Sequence, residues 1–386
     1  MRIAMFSWET MHSTAVGGVA AHVTGLAAAL QRKGHEVHVF TRPGYGGSSV
    51  HQIDGVWHHY CAHALNSDFV SEIEEVCRSF VGHFFQTEDH IGKFDIVHAH
   101  DWLASNAMVW IKEGRPDHRA ILTMHSTEYG RSGNHFWNGT SQRIRDHERH
   151  GTYCADRVIA VSRTLKGELQ WMYNLPDWKC WAIYNGVPVH KFDGWVDPGA
   201  IRGKYAIGPM DPMVLFSGRL CVQKGPDLLL DAVPGLLRYY PNAKIVFVGD
   251  GHMRPDLEHR AWRSGVAHAT RFLGYRNGQE LVELYKAADV VCVPSRNEPF
   301  GITILEAWAA GKPVVASQNG GPGEFVWHEV NGLKIYPTVD SVGWGVGTLF
   351  TNFEWARWMG RNGRLAAETV FTWDSIADQT LNCYRS

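Results

Sequence analysis

Glu298 and Glu306 stand on either side of a Pro299-Phe300-Gly301 turn in "NEPFGITILEAWAAGKPVVAS" (297–317). An acid before such a turn and a second inside the apolar run that follows is a spacing suited to holding a polar ligand. Pro299 biases Glu298 away from helical backbone angles, and Gly301 lets a ligand approach the backbone closely. The spacing predicts a helix from about Ile302, whose unpaired amides and positive end suit a phosphate. Glu306 then lies about one turn inside, within reach of a ribose diol, and Glu298 lies outside, near whatever the phosphate carries. The plainer reading makes Glu298 a loop acid and Glu306 a solvated helix position. "ITILEAWAAG" is otherwise apolar, however, and an unpaired acid there is costly.

Two cations have matching placement. In "LFSGRLCVQKGPDLLL" (215–230), Arg219 and Lys224 follow an apolar strand and Gly218 and precede a helix. Together they would neutralise a diphosphate, each charge-assisted contact contributing roughly 1.5–3 kcal/mol. Standing alone they would read as ordinary surface cations. Gly17-Gly18 lies between the first strand and the first helix, but G-x-G-x-x-G is absent, so no nicotinamide fingerprint exists; a plain turn explains the pair as well as a diphosphate contact does. "VHAHDW" (97–102) and "LTMHSTEYGR" (122–131) each end a strand. His98 and His100 read as alternating, with at most one on a given side, and neither an H-x-x-x-H nor a Cys partner supplies a third ligand, so no metal site is expected. His125 and Asp101 are the better candidates for hydroxyl recognition, with a structural role equally open to a strand-end His.

These residues need elements to place them just after strands. Short apolar runs such as "RIAMFSW", "EVHVFTR", "FDIVHAHD" and "RVIAVSR" alternate with amphipathic stretches such as 17–34, which Gly34 ends. That alternation predicts parallel sheets covered by helices. Pro, Gly and Asp crowd 188–212 as in a linker, and a second series follows: "MVLFSG", "AKIVFVGD", "TRFLGY", "DVVCVPS" and "PVVAS". Two Rossmann-like doubly wound domains are therefore expected, 1–195 and 200–370, with strand-end loops facing a cleft. The length of 386 residues agrees with two domains. A net charge of −2 gives no broad attraction to nucleic acid. The seven Cys form no C-x-x-C, which argues against a disulfide framework or zinc. No apolar stretch approaches a membrane span, and the N-terminus lacks the pattern of a signal peptide, so a cytoplasmic location is the default expectation. The amphipathic stretch 68–89 is acidic and 141–151 mixes signs, which disfavours docking on anionic membranes.

Taken together, the chain resembles the retaining glycosyltransferases of family 4, which have the two-domain GT-B fold. The matching pieces are Gly17-Gly18, "HDW" at 100–102, "MH" at 124–125, "YNGV" at 184–187, "SGRL…KG" at 217–225, "GDG" at 249–251, "EPFGITILE" at 298–306 and "GGPGE" at 320–324. They span nearly the whole chain in the family's order, and "HDW" with "HSTEYGR" looks like its glucan- and glycogen-synthase side. Pro188 stands where the family often has Asp after "NGV".

The resemblance implies that Arg219 and Lys224 bind the donor diphosphate, helped by amides of Gly17, Gly18, Gly301, Ile302 and Thr303 in the turn carrying Phe300. It places Glu306 on the ribose, Glu298 on the transferred sugar and His125 on its 6-hydroxyl. Backbone near Gly274 and Tyr275 would hold the base, and Asp101 would face the acceptor. It further implies that no cofactor or metal is required, and that a C-terminal helix at 372–386 crosses back to the first domain. The expected activity is retaining transfer of a hexose, glucose foremost, from a UDP-, ADP- or GDP-sugar to a saccharide or glucan hydroxyl. The polar loops 42–55 and 127–142, with Tyr129, Phe136 and Trp137, are candidates to meet that acceptor. A nucleotide-sugar epimerase, a phosphorylase of the same plan and a non-catalytic saccharide- or nucleotide-binding protein are the rival readings. The oligomeric state is not readable from the sequence.

Overall fold

The structure is a computed structural model that describes residues 1–44 and 46–386. It divides into two units, Met1–Gly186 with Trp373–Ser386, and Val187–Thr372. The division falls earlier than residue 195, because the Pro- and Gly-rich stretch expected as a linker is built into the second unit. That stretch contains the helix Pro198–Lys204, started by Asp197, whose carboxylate accepts from the Gly199 and Ala200 amides at 2.9 and 3.2 Å. Arg202 then anchors it, donating to the Ala287 carbonyl at 2.8 Å and to Asp289 at 2.9 Å. Dense Pro, Gly and Asp mark caps and turns as readily as they mark linkers.

In the first unit, β1 (Arg2–Ser7), β2 (Glu36–Thr41), β3 (Ser49–Ile53), β4 (Val56–Tyr60), β5 (Ile96–His100), β6 (Arg119–Met124), β7 (Arg157–Ala160) and β8 (Cys180–Ala182) form one sheet in the order β3-β4-β2-β1-β5-β6-β7-β8. Every neighbouring pair is parallel except β3 with β4. The interior strands read as unbroken apolar runs because helices cover both faces; Ile3 through Phe6 have no exposed surface. The 42–55 stretch, expected as a polar loop, is partly strand. Asp54 and Gly55, at φ 51° and 79°, make the two-residue turn of a β3–β4 hairpin at the sheet edge. Tyr45 of that stretch lies outside the described residues.

Helix Phe69–Ile91 buries Val70, Ile73, Val76, Phe80 and Phe84, so its apolar face belongs to the core. The C-terminal helix Trp373–Arg385 packs within the first unit, where the Trp373 indole lies against Gly25 and Gly186. A Cβ at those glycines would stand 2.2 and 2.7 Å from the ring, which explains the Gly of "YNGV".

In the second unit, β9 (Met213–Ser217), β10 (Lys244–Val248), β11 (Thr270–Gly274), β12 (Val290–Val293), β13 (Val314–Ser317) and β14 (Gly332–Ile335) form an all-parallel sheet in the order β11-β10-β9-β12-β13-β14. Strand β14, "GLKI", is not among the expected strands: Gly332 and Lys334 break the apolar run that marks the equally short β12 and β13. Each sheet reverses its direction of growth once, between β1 and β5 and between β9 and β12. Ligands of doubly wound sheets bind beyond the carboxyl ends of the strands at such reversals. Among the described residues, no helix is long and apolar enough to cross a membrane.

Candidate active site

The reversal between β9 and β12 gathers most of the donor-side residues expected from the sequence. Lys224 closes a short turn after β9, and its Nζ meets both carboxylate oxygens of Glu298 at 2.9 and 2.8 Å. Ser295 Oγ donates to the same carboxylate at 2.9 Å. Glu298 is buried at 5 % exposure, so an unpaired charge there would be costly. Lys224 is thus a half-neutralised cation, and Glu298 is a held acid rather than a free one. The two loops are fastened a second time: Arg296 forms a two-pronged pair with Asp227 at 2.9 and 2.6 Å, and its amide donates to the Gln223 carbonyl at 2.8 Å. Arg219 differs. Its guanidinium is exposed and, among the described residues, makes no hydrogen bond or ion pair.

Gly301, at φ 104°, turns the chain into the helix Ile302–Ala309. No side chain among the described residues accepts from the Ile302 or Thr303 amides, so this helix start is open to an anion. Thr303 Oγ1 donates to the Ser217 carbonyl at 3.2 Å, tying the helix start to the end of β9. Glu306 accepts from the Tyr285 hydroxyl at 2.7 Å. It keeps some solvent-accessible surface yet is ringed by protein atoms. Burial therefore raises its pKa above the ordinary carboxylate value, and the Tyr285 bond opposes that rise only in part. Tyr285 itself is fully buried and was missed in the sequence, where it reads as one apolar position of the helix Gly278–Ala287.

The remaining donor-side residues split between contact and support. Phe300 is 3 % exposed and packs against Phe325 at 5.1 Å, so its side chain belongs to the core and only its backbone faces the turn. A Cβ at Gly320 would stand 2.0 Å from the Glu298 carbonyl oxygen, and one at Gly321 would stand 2.7 Å from the Phe300 backbone. The glycines of "GGPGE" thus let one loop lie flat on the other and fix the acid. The Gly274 carbonyl accepts from the Gly249 amide at 2.9 Å, while the Tyr275 ring is half exposed at the end of β11.

In the first unit the turn after β1 is already occupied. Glu9, 4 % exposed, accepts from the amides of Val16, Gly17 and Ala20 at 2.5, 2.9 and 3.3 Å. Burial raises its pKa, and these three amides with Arg42 work against the rise. The Gly17 amide expected to face a diphosphate is therefore taken by the chain's own carboxylate; of the Gly17-Gly18 pair, Gly18 remains. Nothing in "SWET" announces this role, since the partner amides come from later in the chain.

Asp101 is buried at 5 % exposure and holds φ 60°, ψ 176°, a region normally left to glycine. Its carboxylate accepts from the His125 amide at 2.7 Å, so it organises the loop that carries His125. Burial raises its pKa, opposed by Arg131 and by the His125 and Ser126 amides. The reading of His98 and His100 needs correction. Two apart on a strand, they point to the same face, and their ring centroids lie 4.2 Å apart. His22, from the helix Gly18–Arg32, joins them from another element, with ring centroids 5.2 Å from His100 and 4.5 Å from His125. Asn185 of "YNGV" holds His22, its Oδ1 being 2.6 Å from Nδ1. Burial lowers the pKa of His125, so its imidazole is neutral. The 127–142 segment carries the short helix Glu128–Arg131, pinned by Arg131 to buried Glu148 at 2.7 Å. Beyond it, the exposed Phe136 ring lies 4.8 Å from that of Tyr129, which also meets Trp171 at 5.4 Å, while exposed Trp137 meets His135 at 5.3 Å.

Comparison with known proteins agrees with this geometry. The description "Glycosyl transferases group 1" matches residues 199–366, and "Glycosyltransferase Family 4" matches residues 16–191. An uncharacterized glycosyltransferase of Methanocaldococcus jannaschii is 38 % identical, covering 100 % of this chain and 98 % of its own. Glycogen synthase of Mycobacterium tuberculosis is 28 % identical over 100 % and 94 %. Among solved structures, sucrose-phosphate synthase of Thermosynechococcus elongatus superposes with a TM-score of 0.83 at 23 % identity, covering 100 % and 98 %. Anabaena HepE with UDP and glucose superposes with a TM-score of 0.79 at 20 % identity, covering 100 % and 99 %. Two doubly wound sheets, a Glu298–Glu306 loop at a sheet reversal and full-length similarity converge on one assignment: the chain belongs to the family 4 glycosyltransferases of GT-B fold.

Proposed function

We propose that this protein moves a hexose, glucose foremost, from a nucleoside-diphosphate sugar to a saccharide or glucan hydroxyl with retention of anomeric configuration. The observation that carries this is the unpaired Arg219 just after β9 together with the uncapped start of helix Ile302–Ala309 after the adjacent β12. Breaking the bond between the anomeric carbon and the phosphate oxygen moves negative charge onto the leaving diphosphate. Preorganised donors that meet that charge lower the barrier selectively. Arg219 and the Ile302 and Thr303 amides serve this role, with Lys224 adding a cation already balanced by Glu298. Glu306 takes the ribose hydroxyls, and backbone at Gly274 and Tyr275 takes the base.

Glu298, oriented by Lys224 and Ser295, faces the transferred sugar, and His125 takes its 6-hydroxyl. Asp101 acts by holding the His125 loop. Attack comes from the same face as the departing group, with a diphosphate oxygen receiving the acceptor's proton. The chemistry is supplied by positioning and fixed charge, and transfer needs no metal. The names of the relatives, glycogen synthase and a protein solved with UDP and glucose, support a glucosyl donor and a saccharide acceptor. The aromatic group of Tyr129, Phe136 and Trp171, with exposed Trp137 on the same segment, offers flat faces for that acceptor. The acidic 68–89 helix, with its apolar face in the core, supports a soluble rather than a membrane-lipid acceptor.

The test is release of free nucleoside diphosphate from a panel of UDP-, ADP- and GDP-sugars with and without saccharides, followed by product anomer analysis. Acceptor-dependent release with a retained anomer is expected. Product without an acceptor identifies an epimerase, and binding without release identifies a non-catalytic protein.

A further inference from the structure

His22, His100 and His125 come from a helix and two strand ends, yet each places a ring nitrogen so that all three atoms lie within 4.8 Å of one another. His22 Nε2 and His100 Nε2 are buried, and neither has a hydrogen-bond partner among the described residues. The two residues are only 3 % and 1 % exposed. Buried ring nitrogens are normally satisfied, and two orphans in one cluster call for a ligand that the protein itself does not provide. The surroundings fit a metal. The amide oxygen of Asn185 faces His22 Nδ1 at 2.6 Å, which holds the proton on Nδ1 and turns the lone pair of Nε2 inward. His98 is excluded as a ligand, because Tyr384 and Thr123 engage both of its nitrogens at 2.7 Å. Three imidazoles at the roughly 2.0–2.1 Å typical of zinc would have nitrogens about 3.4 Å apart in a tetrahedral site. Closing the triad to that spacing draws the three nitrogens together from separations of up to 4.8 Å, with His125 Nε2 already 3.3 Å from His100 Nδ1. His125, the most accessible of the three, leaves a fourth position for water.

We propose that His22, His100 and His125 form a binding site for one transition-metal ion of the Zn²⁺ class. The ion is not a catalyst of transfer. Resting on the reading that His125 takes the donor's 6-hydroxyl, the site makes metal and sugar donor mutually exclusive, and the ion a reversible inhibitor.

Full-length protein stripped with a chelator is titrated with Co²⁺, then with Zn²⁺ in competition. Binding of one equivalent with the strong visible absorption of four-coordinate Co²⁺, displaced by Zn²⁺, is expected. His22→Gln and His100→Gln abolish the signal, and Asn185→Ala weakens affinity by about 10- to 100-fold. Circular dichroism and melting confirm that each variant is folded. Absence of the band in the wild-type protein, or a band that survives both His variants, overturns the site, as does a buried water alone at the two orphan nitrogens in a high-resolution crystal soaked in Zn²⁺. None of these outcomes touches the transfer proposal. Exclusion is read separately: Zn²⁺ raises the apparent KM for donor without lowering kcat. A metal that binds while donor affinity stays unchanged overturns the exclusion and removes His125 from the sugar.

Discussion

The starts of two helices, one in each unit, make an instructive comparison. Helices Gly18–Arg32 and Ile302–Ala309 both follow a strand and a glycine at a sheet reversal, the geometry that favours anions. In the first unit the Glu9 carboxylate already fills that position, with three amides on it. In the second unit no side chain fills it, and an unpaired arginine stands after the neighbouring strand. Matching topology therefore does not confer matching function. A helix start satisfied from within is structural, and one left open is receptive.

The sharpest way to break this comparison is Arg219→Ala. Because the charge Arg219 meets grows in the transition state, kcat should fall about 10²- to 10³-fold. A steady-state assay showing a change in KM alone removes Arg219 from the diphosphate.

Lys224→Met comes next and should separate two roles. It strips the partner from a buried carboxylate, so stability should drop by about 2–3 kcal/mol, below the usual 3–5 because Lys224 is partly exposed. Activity should fall as well, about 10²-fold. Adding Glu298→Gln should restore the denaturation midpoint without restoring turnover. Recovery of turnover in the double variant assigns the pair to structure alone.

Glu306→Gln should cost about 10- to 100-fold in donor affinity, the loss of charge-assisted bonds to hydroxyls. Its stability effect should run the other way. The folded-state pKa of Glu306 is raised, so ionising it weakens the fold. That cost is absent below the ordinary carboxylate pKa and develops as pH rises through the raised one. The variant should therefore melt above wild type at neutral pH, with the gap closing in acid. A gap that is constant with pH rejects the sign.

Glu9→Ala, the smallest effect, should lower stability by about 1–2 kcal/mol, the loss expected when three amides lose their acceptor at a helix start, and leave kcat within about twofold. A fall in kcat as large as that of Arg219→Ala equates the two helix starts and ends the comparison.

Much of this was readable from residue order. The strand runs, the Gly34 stop and the two acids around Pro299-Phe300-Gly301 are local patterns, fixed by backbone sterics and by the cost of burying charge. The hairpin at 49–60 was readable too: Asp54-Gly55 carries its own turn signal, overlooked inside a polar stretch. The four-residue β14 was not, since its pairing with β13 is made only in the sheet.

What the sequence by itself determined is the alternating architecture, the family and the identity of the residues at the strand ends, because each follows from short-range pattern. Only the tertiary structure decided which charges are free. Lys224 meets Glu298 across 74 positions, and His22 meets Asn185 across 163. Tyr285 reaches Glu306 from a different helix. Partnership between side chains depends on distance in space, and chain order does not set that distance until the sheets have formed.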